Sequence, residues 1–436
     1  MDFSMRWEQR VEFAAKTDVG LRRQNNEDAC VALLASNEDV WRDRGHLFVV
    51  ADGMGGHAVG ELASKIAADT LPQTFLKSRD GDVVRALRAA VDAANRTIHA
   101  RGTQNRDFQR MGTTCTALAL CEKGAVIGHV GDSRVYRVRR DRIDQLTFDH
   151  SLQWELERRG RLRPEDMALQ EHRNVITRSL GPEPEVEIDM EGPFPVFPDD
   201  VYVACSDGLT AHVKEGEIAT IVRDLPPKSA SRMLVHLANL RGGTDNCTVI
   251  VVRVGPLPGN VPPPPVAVPA ARQPVLTWKW LLWFWLFGVG LVSGTTLTLF
   301  WHLVPGISLF TISAMGGILL SLAAWRESYR IRTAPGEELR DPQESVPYRS
   351  YVARPVKDLL DELANIGTEL RRTAEEDGWS VDWDRYHAAV DRAREALGAQ
   401  RKAMALREYG KAIDALMSAV QVPNGVAEEA EVGGNP

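Results

Sequence analysis

The stretch FVVADGMGGH (48–57) decides how this chain is read. A β-branched apolar run that ends on Asp52, followed by Gly53, Gly55 and Gly56, is a strand delivering a carboxylate to a backbone free to wrap closely round a ligand. Working outward, the same device recurs. VACSDGL (203–209) ends a strand on Asp207, and GGTDN (242–246) sets Asp245 just before the run CTVIVVRV (247–254). Asp beside Gly is ordinary turn chemistry at any one of these places. Three together point to a shared site, because converging carboxylates are hard oxygen ligands that suit Mg²⁺ or Mn²⁺ rather than zinc or copper. Two such ions a few Å apart lower the pKa of a water between them and neutralise phosphoryl oxygens. GLRRQNNEDA (20–29) adds Arg22 and Arg23, cations suited to phosphate, just ahead of Glu27 and Asp28.

Around these motifs the chain divides by composition. Residues 1–254 alternate short β-rich runs, such as HLFVVAD (46–52), TTCTALAL (113–120) and VYVACSD (201–207), with two or three amphipathic helical stretches. The helices are expected over Gly60–Leu76 and Val83–His99, the second with Val84, Leu87, Val91 and Ile98 on one face. This pattern predicts an α+β sandwich. Residues 255–277 form a Pro-rich spacer that favours extended polyproline II. Two apolar runs follow, Trp280–Val304 and Ile307–Trp325, separated by Pro305 and Gly306, and they predict a two-helix transmembrane hairpin within 278–325. Trp residues at its margins and Arg or Lys outside both ends place both flanks in the cytoplasm, as in a multi-pass protein of a bacterial inner membrane in contact with lipid. Residues 348–421 read as a separate helical region that takes a protein partner, and 422–436 as a frayed acidic tail.

Other chemistries find little support. A formal charge of −7 speaks against nucleic acid as a partner. Five cysteines without a C-x-x-C pair suit reduced thiols better than a disulfide framework or a zinc site. P-loop, zincin and hydrolase-elbow motifs are absent. Cys247 and Arg253 match the loose spacing of cysteine phosphatases, but TVIVV between them is a strand that holds the two apart.

Taken in order, TDVGLRRQNNEDA, VVADGMGGHAVGELAS, MGTTCTAL, HVGDSRVYRVR, LTFDHSL, NVITRSLG, VACSDGL and GGTDNCTVIVV resemble the motif series of the bacterial metal-dependent serine/threonine phosphatases of the 2C type. The resemblance spans about Phe13 to Val254. It implies a four-layer α-β-β-α sandwich of two antiparallel sheets and a water-driven hydrolysis of phosphoserine or phosphothreonine in proteins, targets of a serine/threonine kinase. It also implies roles. Asp52 bridges two Mn²⁺ or Mg²⁺ ions; Asp207 and Asp245 bind the first; the Gly53 carbonyl and, through water, Glu27 serve the second; Asp132 helps hold a weaker third. Arg23 rather than Arg22 binds phosphate, and Asp28 supports the water network. Asp18 falls on a motif position without a clear role. Met54 stands where animal members carry a histidine proposed as general acid, and His57 nearby is read as more structural than catalytic. The competing reading is a membrane-tethered phosphoprotein-binding module of the same fold without turnover. The intact Asp207 and Asp245 weigh against it.

Overall fold

The computed structural model describes residues 11–56, 58–108, 111–158, 175–255, 278–300, 303–333 and 347–420. In chain order the elements are β1 (Val11–Asp18), β2 (Asp28–Leu33), α1 (Glu38–Asp43), β3 (His46–Met54), α2 (Ala58–Lys77) and α3 (Val83–Gly102). Then come β4 (Gly112–Thr113), β5 (Cys115–Cys121), β6 (Gly124–Val130), β7 (Arg134–Arg139), β8 (Arg142–Gln145), α4 (Leu152–Arg158) and β9 (Asp189–Phe194). The part carrying the motif series closes with β10 (Val201–Cys205), α5 (Asp207–Thr210), α6 (Glu215–Asp224), α7 (Pro227–Leu240) and β11 (Cys247–Val254). Beyond it lie α8 (Trp278–Phe300), α9 (Leu303–Thr333), β12 (Arg349–Val352), α10 (Val356–Glu376), α11 (Trp383–Gly398) and α12 (Lys402–Val420).

These elements form two compact units, one of Met1–Glu157, Pro164–Val261 and Ser345–Pro436, the other of Arg158–Arg163 and Pro262–Glu344. The first is built on two antiparallel sheets, ordered β1-β11-β10-β7-β8-β12 and β2-β3-β5-β6-β9, with β4 paired to β3. Strand β3 shows why its sequence is apolar without a break. Phe48 and Val50 point into the core between the sheets, while Leu47, Val49 and Ala51 pack on α2 and α3. A strand covered on both faces has no solvated side to carry polar residues. Strand β11 does the same for the other sheet, with Ile250 and Val252 facing inward and Val249 and Val251 facing the helices. The sandwich and both expected helices are thus present. Asp82 caps α3 by accepting from the Val84 amide, and Leu87, Val91 and Ile98 are fully buried.

Two parts of the sequence reading need correction. Residues expected to form a helical region of their own belong to the same unit as the sandwich, and their first element is a strand. β12 pairs antiparallel with β8 (Tyr351 opposite Ile143) and covers that sheet edge. Leu359, Leu360 and Leu363 of α10 and Leu406, Ile413 and Met417 of α12 enter the core that also holds Ile218, Met233 and Leu234 of α6 and α7. The apolar face of these helices packs inside the chain.

The second unit is an antiparallel pair, α8 and α9. It packs through small residues, with Gly290 against Ser313 and Gly294 against the Phe310 backbone, where a Cβ would have no room. Pro305 does not separate the helices; it lies in the first turn of α9, where the missing N–H costs no hydrogen bond. The expected transmembrane hairpin is not supported. Among the described residues no helix is long and apolar enough to cross a membrane. Hydroxyls such as Thr295, Thr298 and Ser308 donate to carbonyls one turn back. The Pro-rich spacer, the acidic tail and His57 lie outside the described residues, as do residues 159–174.

Candidate metal and phosphate site

Strand ends bring the aspartates together. Asp52 lies two residues from the end of β3, Asp207 opens α5 directly after β10, and Asp245 sits in the loop between α7 and β11. Asp28 opens β2, and Asp132 sits in the turn between β6 and β7. Asp52 shares a hydrogen bond with Asp207, and the charges of Asp28, Asp207, Asp132 and Asp245 all act on it. Asp52 and Asp207 are half-buried, whereas Asp28 and Asp132 are buried.

The backbone around Asp52 is pinned from several sides. Its amide donates to the Thr114 hydroxyl (2.9 Å), and its carbonyl accepts from the Thr114 amide (2.8 Å) and the Thr113 hydroxyl (2.9 Å). The Gly53 amide donates to the Glu27 carbonyl (3.1 Å), while a Cβ at Gly53 would strike the Gly60 and Glu27 backbones. Only glycine permits so close an approach. Glu27 is fixed in turn, its amide donating to Asn246 Oδ1 (2.8 Å). Asn246 also donates to the Val19 and Asn25 carbonyls at 2.8 and 3.0 Å, which ties the arginine-bearing loop to the residue after Asp245. Arg23 donates from Nη2 to Asp245 Oδ2 (2.8 Å), so of the two expected arginines it is the one seen on the cluster. Asp18 accepts from the Gly20 amide and from Asn239, at 2.9 and 3.0 Å, a turn-closing contact.

Burial and mutual repulsion set the electrostatics. Burial drives the Asp28 carboxyl up to about 7 with Asp207 and Asp245 adding to it, even though hydrogen bonds with Thr248 and Ser206 pull the other way. Burial and then Asp207 push Asp132 up to about 8. Burial and then Asp245 take Asp207 to about 6. Asp52 is held well above the ordinary carboxylate range by burial and then by its four acidic neighbours. Such a cluster is costly without a cation. Oδ1 of Asp28 and Oδ1 of Asp132 are buried without a hydrogen-bond partner, which is what a divalent ion or its water shell would satisfy. Among the described residues no three acidic, His or Cys side chains close a metal cage by themselves. Mg²⁺ does not require one, since it keeps several waters and binds through one or two carboxylates. The donor set therefore fits hard divalent cations.

Several contributors escaped the sequence reading. Ser206 donates to Asp28 Oδ2 (2.8 Å) and accepts from the Thr248 amide (2.9 Å), and Thr113 and Thr114 hold the Asp52 backbone. Their signal was present, since each lies inside a quoted motif next to a strand end. Met54 packs against Gly112 and has no proton to give.

Comparison with known proteins agrees with this geometry. Residues 15–183 match the family model described as Protein phosphatase 2C. The chain is 36% identical over 247 residues to the protein phosphatase PhpP of Streptococcus pneumoniae, covering 56% of this chain and 97% of that one. It is 35% identical over 245 residues to the serine/threonine protein phosphatase PstP of Mycobacterium tuberculosis, covering 56% of this chain and 45% of that one. The crystal structure of the serine/threonine phosphatase PstP/Ppp from the same organism superposes with a TM-score of 0.51 at 34% identity, covering 56% of this chain and 99% of that one.

Proposed function

Because the chain belongs to the protein phosphatase 2C family of serine/threonine protein phosphatases, we propose that it removes phosphate from phosphoserine and phosphothreonine in targets of a serine/threonine kinase, using two divalent cations. The observation that carries the metal assignment is the buried carboxylate cluster with the unpartnered Oδ1 atoms of Asp28 and Asp132. Asp52, Asp207 and Asp245 would hold one Mn²⁺ or Mg²⁺. Asp52, the Gly53 carbonyl and Glu27 would hold the second, and Asp132 a weaker third. When bound, such ions supply an acidified water and offset the charge of the phosphoryl oxygens.

The chain's own residues do the rest. Arg23, half-exposed at the rim, can exchange its contact with Asp245 for a phosphate oxygen and orient the ester. Asp28, steadied by Ser206, is placed to accept a hydrogen bond from water beside Asp52. Thr113, Thr114 and Glu27 keep the Asp52–Gly53 backbone from moving as charge shifts. Contact with membrane lipid, with the soluble parts in the cytoplasm, belongs to the same proposal. Its support is the exposed apolar side chains of α8 and α9, among them Trp285, Val292, Phe300, Val304 and Ile312.

The test uses the full chain. Phosphate release from a phosphothreonine peptide should require Mn²⁺ or Mg²⁺ and stop on chelation; release that persists in excess chelator would sink the metal assignment. Recovery of the protein entirely in the cytosolic fraction after lysis would remove the lipid contact.

A further inference from the structure

Arg241 closes α7 one residue before the loop that presents Asp245, and its guanidinium is held from two directions. Glu217 of α6, a buried carboxylate, accepts from Nη1 and Nη2 at 2.7 and 2.9 Å. Glu362 of α10 accepts from Nη2 at 2.6 Å. Arg354, just ahead of α10, completes the cluster by donating from Nη1 to Glu217 (2.5 Å) and Glu362 (2.7 Å). Two of these four charges come from the chain beyond the motif series. The match to PhpP takes in 56% of this chain and 97% of that one, so the rest of this chain lies outside the match.

The cluster faces the metal loop. Arg241 Nη1 donates to the His212 carbonyl (3.0 Å), and the His212 ring hydrogen-bonds through Nε2 with the Thr244 hydroxyl (2.8 Å), next to Asp245. A Cβ at Gly242 would press on the same ring, so the loop lies against His212. Gly243 then accepts through its carbonyl from the Leu21 and Arg22 amides, at 2.9 and 3.2 Å, one residue short of Arg23. One loop therefore sets both a carboxylate of the metal cluster and the arginine assigned to phosphate. Both depend on where Arg241 is held.

We propose that Glu362 and Arg241 are positioning residues for the metal site, through which the C-terminal helix α10 sets the Asp245 loop and so the affinity for divalent cation. This rests on the metal-dependent phosphatase reading above. It predicts that the C-terminal region changes how much Mn²⁺ the enzyme needs rather than how fast the loaded enzyme turns over.

The experiment is Mn²⁺ titration of the full chain by calorimetry, together with the Mn²⁺ dependence of phosphopeptide hydrolysis. Glu362→Ala should weaken Mn²⁺ binding by about tenfold, the low end for outer-shell partners. The half-saturating Mn²⁺ should rise in step, with kcat at saturating metal close to wild type, because only metal binding and not the loaded state is altered. Glu362→Gln, which keeps an acceptor for one arginine, should restore part of the affinity. Glu408→Ala is the control, since Glu408 is more deeply buried than Glu362 and pairs with Arg392 and Lys411 without reaching Arg241. Unchanged Mn²⁺ affinity in Glu362→Ala, or an equal loss in Glu408→Ala, overturns the proposal. A wild-type chain that binds no Mn²⁺ defeats the underlying metal reading and this inference with it, a result distinct from a variant that binds like wild type.

Discussion

Asp28 and Asp52 stand directly opposite each other across the antiparallel pair of β2 and β3. Two like charges in that relationship destabilise a sheet, and here burial and three further carboxylates sharpen the cost. The arrangement exchanges stability for a place to bind cations. Asp52→Asn is therefore expected to separate the two properties. Phosphopeptide hydrolysis should fall below detection, while the melting temperature of the metal-free protein stays level or rises, because one repelling charge is gone. A variant that keeps activity, or one that melts well below wild type without metal, would contradict this account.

The same cluster fixes a pH dependence. Asp28, Asp132 and Asp207 have folded-state pKa values raised from 3.8 to about 7, 8 and 6. Across that window these three groups bind more protons in the metal-free folded state than in the unfolded chain, so their contribution to stability is present in acid and is lost as pH rises through their folded-state values. Bound cations offset the repulsion of the deprotonated groups. Saturating Mn²⁺ at about a hundred times its Kd adds about 2.7 kcal/mol, an increase of about 5 °C or more in melting temperature for a domain of this size. Thermal melts with and without Mn²⁺ should show a larger increment at pH 8 than at pH 5. An increment equal at both, or larger at pH 5, would place the cation elsewhere.

Much of the site could be read from the sequence because its parts are local. HLFVVADG (46–53) is apolar on both faces and ends on Asp and Gly, so strand, burial and ligand are all written within eight residues. The helices α2 and α3 were equally plain, since a repeating apolar face needs no partner to be recognised. What escaped depends on distant pairings. RSYV (349–352) is four residues long, too short for alternation to register, and it becomes a strand because β8 offers an open edge. The face of α10 carrying Leu359 and Leu363 looks the same whether it meets a partner or α6 and α7. The Ser206 contact with Asp28 spans 178 positions and joins one sheet to the other, which no local pattern encodes.

Arg23 offers a cleaner separation of binding from metal chemistry. Its side chain is about half exposed, 49% against 29% for Asp245, so the pair itself adds little to stability. Arg23→Ala should leave the melting temperature nearly unchanged. A charge-assisted contact to phosphate contributes about 1.5–3 kcal/mol, so KM for a phosphothreonine peptide should rise roughly tenfold to a hundredfold. Mn²⁺ affinity measured by calorimetry should stay close to wild type. Loss of Mn²⁺ binding in this variant would show that Arg23 acts on Asp245 rather than on phosphate.

The last expectation concerns Leu363, fully buried where α10 meets the helical layer of the first sheet. Were the C-terminal helices an independent domain, trimming this side chain would loosen them alone and leave the active site to melt as before. The shared core predicts otherwise. Leu363→Ala removes packing from a layer that also holds Ile218, Met233 and Leu234, behind β10 and β11 and therefore behind Asp207 and Asp245. Such a truncation costs about 2–5 kcal/mol, or about 5 °C or more in melting temperature. Thermal inactivation of phosphatase activity should shift downward with the unfolding of α10, followed by hydrogen exchange in α10 and β11 of the same sample. If exchange in α10 rises while inactivation and β11 protection stay unchanged, the helices and the sandwich do not fold as one unit. In that case the positioning role of Glu362 would lose its structural basis as well.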